Sequence, residues 1–404
     1  MTYNQSTRRA FILTWVCNTP FWAIYNMLPF ILYKDLHATP FQVTVAVALK
    51  PLVALFSMYW SAWIRERKDR LLSNVMWGTL LGHLPFFFFP FVDNPWFFIA
   101  SFGFYMLMAR GTYPAWMELL KLNVPKVVRE KTFALASSFE YVGAGILPFL
   151  FGWLLDSYMQ PWRWIFPLAA LFSLVAIFFQ KKIPKDEENR EIVVVSWREV
   201  LGLPWKNAWN VLVRRPDFFR FQIGFMLGGA GLIIMQPALP QFFLGQLQLS
   251  YMELAIALTL CKGIGFALAS PLWAGKIHEM NLFRFCSAVT LLAALFPLGL
   301  IAAKTSILWL YAAYFIYGVM QAGSTLSWNL SGPIFAKEED SSVYSSVNIM
   351  AVGIRGCFIP AIGSALAGLI DPAFVMLLGG FLCFLATLRM FTYGNPIYAV
   401  SASK

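Results

Sequence analysis

Twelve apolar runs of roughly 20 residues or more fill most of this 404-residue chain, divided by short breaks of charge or of Pro, Gly and Asn. They lie near residues 11–33, 41–64, 71–92, 95–119, 132–155 and 162–181, then 218–244, 250–275, 282–303, 306–332, 341–369 and 372–392. With 59% hydrophobic and 13% charged residues, the chain has too much apolar surface for a water-soluble core. Lipid is the solvent that suits it, and in lipid the backbone must satisfy its own hydrogen bonds, which favours helices. The fold class that follows is all-α integral membrane, with about twelve spans.

The net charge of +11 is distributed by loop. With the N-terminus inside, 24 of the 31 Lys and Arg residues fall in cytoplasmic loops and tails, three (Lys34, Arg163, Lys304) fall outside and the rest lie within spans. This bias predicts cytoplasmic termini in an inner or plasma membrane, and it accounts for the charge without nucleic acid. Arg8 and Arg9 precede an apolar run too long for a signal peptide, which reads as a retained first helix. The five cysteines lie inside apolar segments without CxxC spacing, so neither a disulfide framework nor a metal site is expected.

Residues 182–217 form the one extended polar stretch, charged at first and then amphipathic through Trp197, Val200, Leu201, Trp205, Trp209, Val211 and Leu212. It reads as a linker lying on the inner membrane surface between a bundle at 1–181 and a second at 218–404. The two bundles repeat at an offset of about 212 residues. Leu28-Pro29, Leu36 and Thr39 return as Leu239-Pro240, Leu247 and Ser250; Lys50 returns as Lys262, Trp60 as Trp273, Trp116 as Trp328 and Pro148 as Pro360.

After the second span stand Ala62, Glu66, Arg67, Asp69 and Arg70; Gly275 and Glu279 occupy matching places in the second half, and the fifth span carries Gly143, Gly145, Pro148 and Gly152. In these motifs and in its architecture the chain resembles the major facilitator superfamily, although Ala62 and Asp69 stand where that family's loop has glycines. The resemblance implies two pseudo-symmetric six-helix bundles, transport by alternating access, and a gating role for Glu66, Arg67, Arg70 and Glu279. An ordinary positive-inside loop is the other reading of these charges.

Five strongly ionisable residues remain within the spans: Lys50, Arg110, Glu140, Lys262 and Arg355. Each is costly in lipid unless it faces a cavity or a partner. They fall on spans 2, 4, 5, 8 and 11, which the resemblance places around a central cavity. Counting about 1.5 Å per residue, Arg110 and Glu140 lie at similar depth on consecutive spans, so a salt bridge is expected, either structural or coupling, with protonation of Glu140 releasing Arg110 to hold substrate. Four cations against one carboxylate suit an anionic solute; long side chains reaching the interface or backbone carbonyls are the alternative. Asn18, Trp22 and Tyr25 on span 1, Gln236 on span 7, and Tyr314, Tyr317, Gln321, Ser324 and Trp328 on span 10 keep helical spacing, as either cavity lining or packing. His83, on a span the resemblance makes peripheral, reads as structural.

The function expected is secondary active transport of a small organic anion, carboxylate or phosphate, driven by protons or by exchange against a counter-anion. A neutral or cationic solute is the alternative. No HExxH, GxSxG or Walker A pattern occurs, so neither an enzyme nor an ATP-driven pump is indicated, no cofactor is expected, and the working unit is taken as a monomer in the bilayer.

Overall fold

The computed structural model describes residues 3–66, 70–184, 197–336 and 341–394, and all regular structure among them is helical. Two compact units divide the chain, Met1–Trp197 and Arg198–Lys404.

In the first unit α1 (Tyr3–Tyr25) and α2 (Leu28–Lys34) form span 1, the break at Met27 preceding Pro29. Span 2 is α3 (Pro40–Glu66). Span 3 is α4 (Leu71–His83), which tightens into a 3-10 stretch over Leu84–Phe91 where Pro85 and Pro90 cannot donate to an α-helical ladder. Spans 4 and 5 are α5 (Pro95–Asn123) and α6 (Lys126–Ser157). Span 6 is α7 (Trp162–Leu174) followed by α8 (Ala176–Gln180). The amphipathic stretch is helical, as α9 (Trp197–Arg214).

In the second unit α10 (Pro216–Met235) runs on through short 3-10 and π segments to Gln246 as span 7. Span 8 is α11 (Tyr251–Ala255), a π turn over Ile256–Cys261 and α12 (Lys262–Glu279). Spans 9 to 12 are α13 (Leu282–Ala302), α14 (Ile307–Ala336), α15 (Ser341–Leu369) and α16 (Pro372–Tyr393).

Among the described residues, seven segments are long and apolar enough to cross a membrane: spans 3, 6, 7, 8, 9, 11 and 12. Pro40–Val53 of span 2 and Val142–Ser157 of span 5 are shorter apolar stretches. Large apolar side chains such as Trp77, Trp164, Leu168, Leu298 and Phe381 are exposed, as a surface solvated by lipid requires.

The repeat extends to the backbone. Leu36 and Ala38 donate to the carbonyls of Ile31 and Leu32 where span 1 ends; Leu247 and Leu249 donate to Phe242 and Phe243 where span 7 ends, 211 residues later. Between each pair one residue, His37 or Gln248, adopts a left-handed conformation. The next helix then opens on a reciprocal cap, Thr39 with Gln42 and Ser250 with Glu253. One supersecondary unit has been used twice.

Candidate functional site

Lys50 of α3 lies over two stacked rings in the first unit. Tyr25 and Phe102 stack with centroids 4.2 Å apart and planes at 7°, and the Tyr25 hydroxyl donates to the Phe102 carbonyl at 2.9 Å. The Lys50 ammonium stands 5.4 Å from the Phe102 centroid and 5.7 Å from that of Tyr25, and donates to Asn26 Oδ1 at 3.4 Å. The electron-rich ring faces and the amide oxygen give a cation in an apolar span partial compensation.

Its repeat partner Lys262 begins α12 directly after the π turn. Its carbonyl is so close to Gly318 of α14 that no side chain fits at residue 318. The corresponding crossing in the first unit sets Leu49, next to Lys50, on Gly103 of α5. Each lysine therefore sits beside a close helix crossing onto a glycine, through backbone at Lys262 and through the Leu49 side chain next to Lys50. The Lys262 side chain is half-buried.

Arg355 is only 8% exposed. Its Nη1 donates to the carbonyl of Phe225 at 2.9 Å and lies 3.4 Å from that of Met226, while its guanidinium covers the Phe225 ring. Gly229 makes the room: a methyl group there would overlap the guanidinium. Arg355 is thus built into the α10–α15 seam, the backbone-carbonyl alternative of the two sequence readings. Two turns away the same seam holds Asn348, which accepts from Gln222 and donates to Ser331 of α14.

The expected salt bridge does not form: among the described residues no ion pair joins Arg110 to Glu140. Equal depth on consecutive spans is not adjacency. α6 packs on α1, whereas α5 packs on α3 and α4. Arg110 is exposed and Glu140 half-buried.

Asn18 is engaged within the bundle. Its Nδ2 donates to the Tyr105 hydroxyl at 3.0 Å, and its Oδ1 lies 3.1 Å from His83 Nε2 and 3.3 Å from Ser173 Oγ. His83 is buried, and its Nδ1 meets the Thr79 carbonyl at 2.7 Å, in keeping with a structural histidine. Tyr25 is fully buried, and Trp22 packs edge-on against it at 5.1 Å. On α14 Tyr314 is buried and Tyr317 packs on Phe296, whereas Gln321 is half-buried and Gln236 of span 7 is exposed. Of the gating residues, Arg67 lies outside the described residues, Glu66 ends α3, and Arg70 and Glu279 are exposed at helix ends. Sequence reasoning missed Ser173, Asn74, Gln222 and Asn348; an amide inside an apolar span is the signal that finds the last three.

Two repeated six-span helical bundles with cations inside the spans define a polytopic membrane transport protein. The chain belongs to the Major Facilitator Superfamily, whose pattern it matches over residues 10–360. No curated protein matches the sequence. Among solved structures it is similar to a POT family transporter in complex with 5-aminolevulinic acid (TM-score 0.76, 13% identity, 97% of this chain and 96% of that one). It is also similar to the nucleoside transporter NupG (TM-score 0.70, 14% identity, 97% and 99%) and to the POT family transporter PepTSo (TM-score 0.71, 13% identity, 98% and 98%). The protein is therefore a transporter that works by alternating access rather than an enzyme.

Proposed function

We propose that this transporter carries a small organic anion, with Lys50 and Lys262 supplying the charge that holds it and Arg110, exposed on α5, adding a third cation. The observation that carries this reading is the repeat-equivalent placement of the two lysines, each beside a close crossing of the second and fourth spans of its unit. Ammonium and guanidinium groups bind carboxylate or phosphate through charge-assisted hydrogen bonds. Arg355 serves the α10–α15 seam in this scheme and leaves the substrate set. Glu140, the sole mid-span carboxylate, is the protonation site if transport is proton-coupled; otherwise a counter-anion supplies the exchange. The similar transporters, one in complex with 5-aminolevulinic acid and one a nucleoside transporter, share only the fold at this identity, so the choice of solute rests on the charges.

Counterflow into proteoliposomes with labelled carboxylates, phosphate esters, nucleosides and sugars tests the proposal. Lys50→Gln and Lys262→Gln are expected to weaken apparent anion affinity about tenfold or more each, on the scale of one lost charge-assisted contact, with little change in melting temperature. Unchanged affinity in both variants, or counterflow with neutral solutes alone, replaces this reading with neutral-solute transport.

A further inference from the structure

At the membrane end where α10 and α13 begin and α16 stops, two arginines from two helices share one aromatic ring and a third arginine stands nearby. The guanidinium carbons of Arg220 and Arg389 lie 5.5 and 5.7 Å from the Tyr393 ring centroid. Phe283 packs against the same ring at 6.2 Å, and the stem of its neighbour Arg284 lies against Gly394, where a methyl group would come within 2.7 Å of Cγ. Among the described residues no ion pair includes Arg220 or Arg389, and Asp217, the acid nearest to Arg220 in sequence, is held by Arg215. Two guanidinium groups sharing one ring repel each other, and the ring faces offset only part of that repulsion.

The same cluster closes a lipid-facing stripe. Phe381, Phe384, Leu388 and Phe391 along α16 are exposed and lead directly to Arg389, while Leu291, Leu295 and Leu298 are exposed on α13. A lipid whose acyl chains lie on this apolar surface brings its headgroup to the arginines. Arginine's planar fork suits phosphate oxygens, and basic clusters between spans at the membrane surface attract anionic headgroups.

We infer that Arg220, Arg389 and Tyr393 form a binding site for the phosphodiester headgroup of an anionic phospholipid, seated on α10 and α16 beside the start of α13. The lipid neutralises the two guanidinium groups and fastens the ends of α10 and α16 to one another.

The test is native mass spectrometry of delipidated protein offered equal amounts of phosphatidylglycerol and phosphatidylcholine, paired with melting temperatures. Wild type is expected to keep phosphatidylglycerol in preference, and Arg220→Gln and Arg389→Gln each to reduce that preference about fivefold, the effect of one basic residue at a membrane surface. Phosphatidylglycerol is also expected to raise the wild-type melting temperature where phosphatidylcholine and inorganic phosphate do not, a measurement that needs no variant to fold. Equal retention of the two lipids by wild type, an undiminished preference in both variants, or equal stabilisation by inorganic phosphate each overturns the assignment.

Discussion

The indole of Trp60 lies against Gly111 so closely that a methyl group on that glycine would stand 2.6 Å from two ring carbons. Trp273 covers Gly323 in the same way, with a nearest approach of 3.1 Å. Both pairs join the second and fourth spans of a unit, and both indoles are anchored by their N–H groups, Trp60 to Asn74 Oδ1 at 3.0 Å and Trp273 to the Val319 carbonyl at 2.8 Å. Asn74 in turn donates to the Gly111 carbonyl, so Trp60 cannot tilt away without disturbing three spans.

Overpacking at an anchored ring costs about 1–3 kcal/mol. Gly111→Ala is therefore expected to lower the melting temperature in detergent, and Gly323→Ala to lower it as well, because a methyl group there would stand 2.5 Å from Val289 Cγ2 besides meeting Trp273. Adding Trp60→Leu to Gly111→Ala is expected to recover part of the loss. If Gly111→Ala melts with wild type, the contact does not limit stability.

Gly229 and Arg355 are coupled by volume. With Gly229→Ala, the guanidinium has to leave the carbonyls of Phe225 and Met226, and stranding a buried charge costs about 3–5 kcal/mol. Arg355→Ala leaves a cavity but no stranded charge. The double variant is expected to be less damaged than the sum of the singles, with a coupling energy above about 1 kcal/mol in thermal or denaturant unfolding. Strict additivity would show that the notch at Gly229 is not reserved for this side chain.

Arg110 and Glu140 lead to the opposite expectation. Their helices pack mainly on other partners, so substitutions at the two positions are expected to add within about 0.5 kcal/mol in a stability cycle. A large non-additive term in unfolding would restore the salt bridge that similar depth on consecutive spans suggested.

Spans, linker helix and internal repeat were readable because each follows from a local pattern: apolar run length, charged breaks, and LP or Trp landmarks at a near-constant offset. The site was readable only in part. Lys50 and Lys262 stand out as charges in apolar runs, yet nothing local says that Arg355 faces a seam while Arg110 stays exposed, because the direction of a side chain depends on which helix packs beside it. Tyr25 and Tyr314, which keep the helical spacing of their faces, are buried for a related reason. Helical spacing puts residues on one face without telling whether that face meets water or another helix, and here Phe102 and Phe296 cover those rings.

The loop charges predict an orientation that can be checked. Reporter fusions at the N-terminus and after Tyr393 are both expected to score as cytoplasmic, with 24 of 31 basic residues on that side. An external signal from either end would reverse the assignment of every loop.

Asn18 distinguishes packing from binding most sharply. Its amide lies at hydrogen-bond distance from His83 on α4, Tyr105 on α5 and Ser173 on α7, tying α1 to three neighbours inside one unit. Asn18→Leu keeps the approximate volume and removes every polar contact, and each buried group left without a partner costs about 1–3 kcal/mol. The expected result is a large fall in melting temperature, while the apparent substrate affinity of the surviving folded protein, measured by counterflow, stays close to wild type. His83→Leu in the Asn18→Leu background is expected to cost less than it does alone, because the partner it would strand is already gone. An Asn18→Leu protein that melts normally but has lost affinity for the transported solute would make Asn18 a binding residue instead.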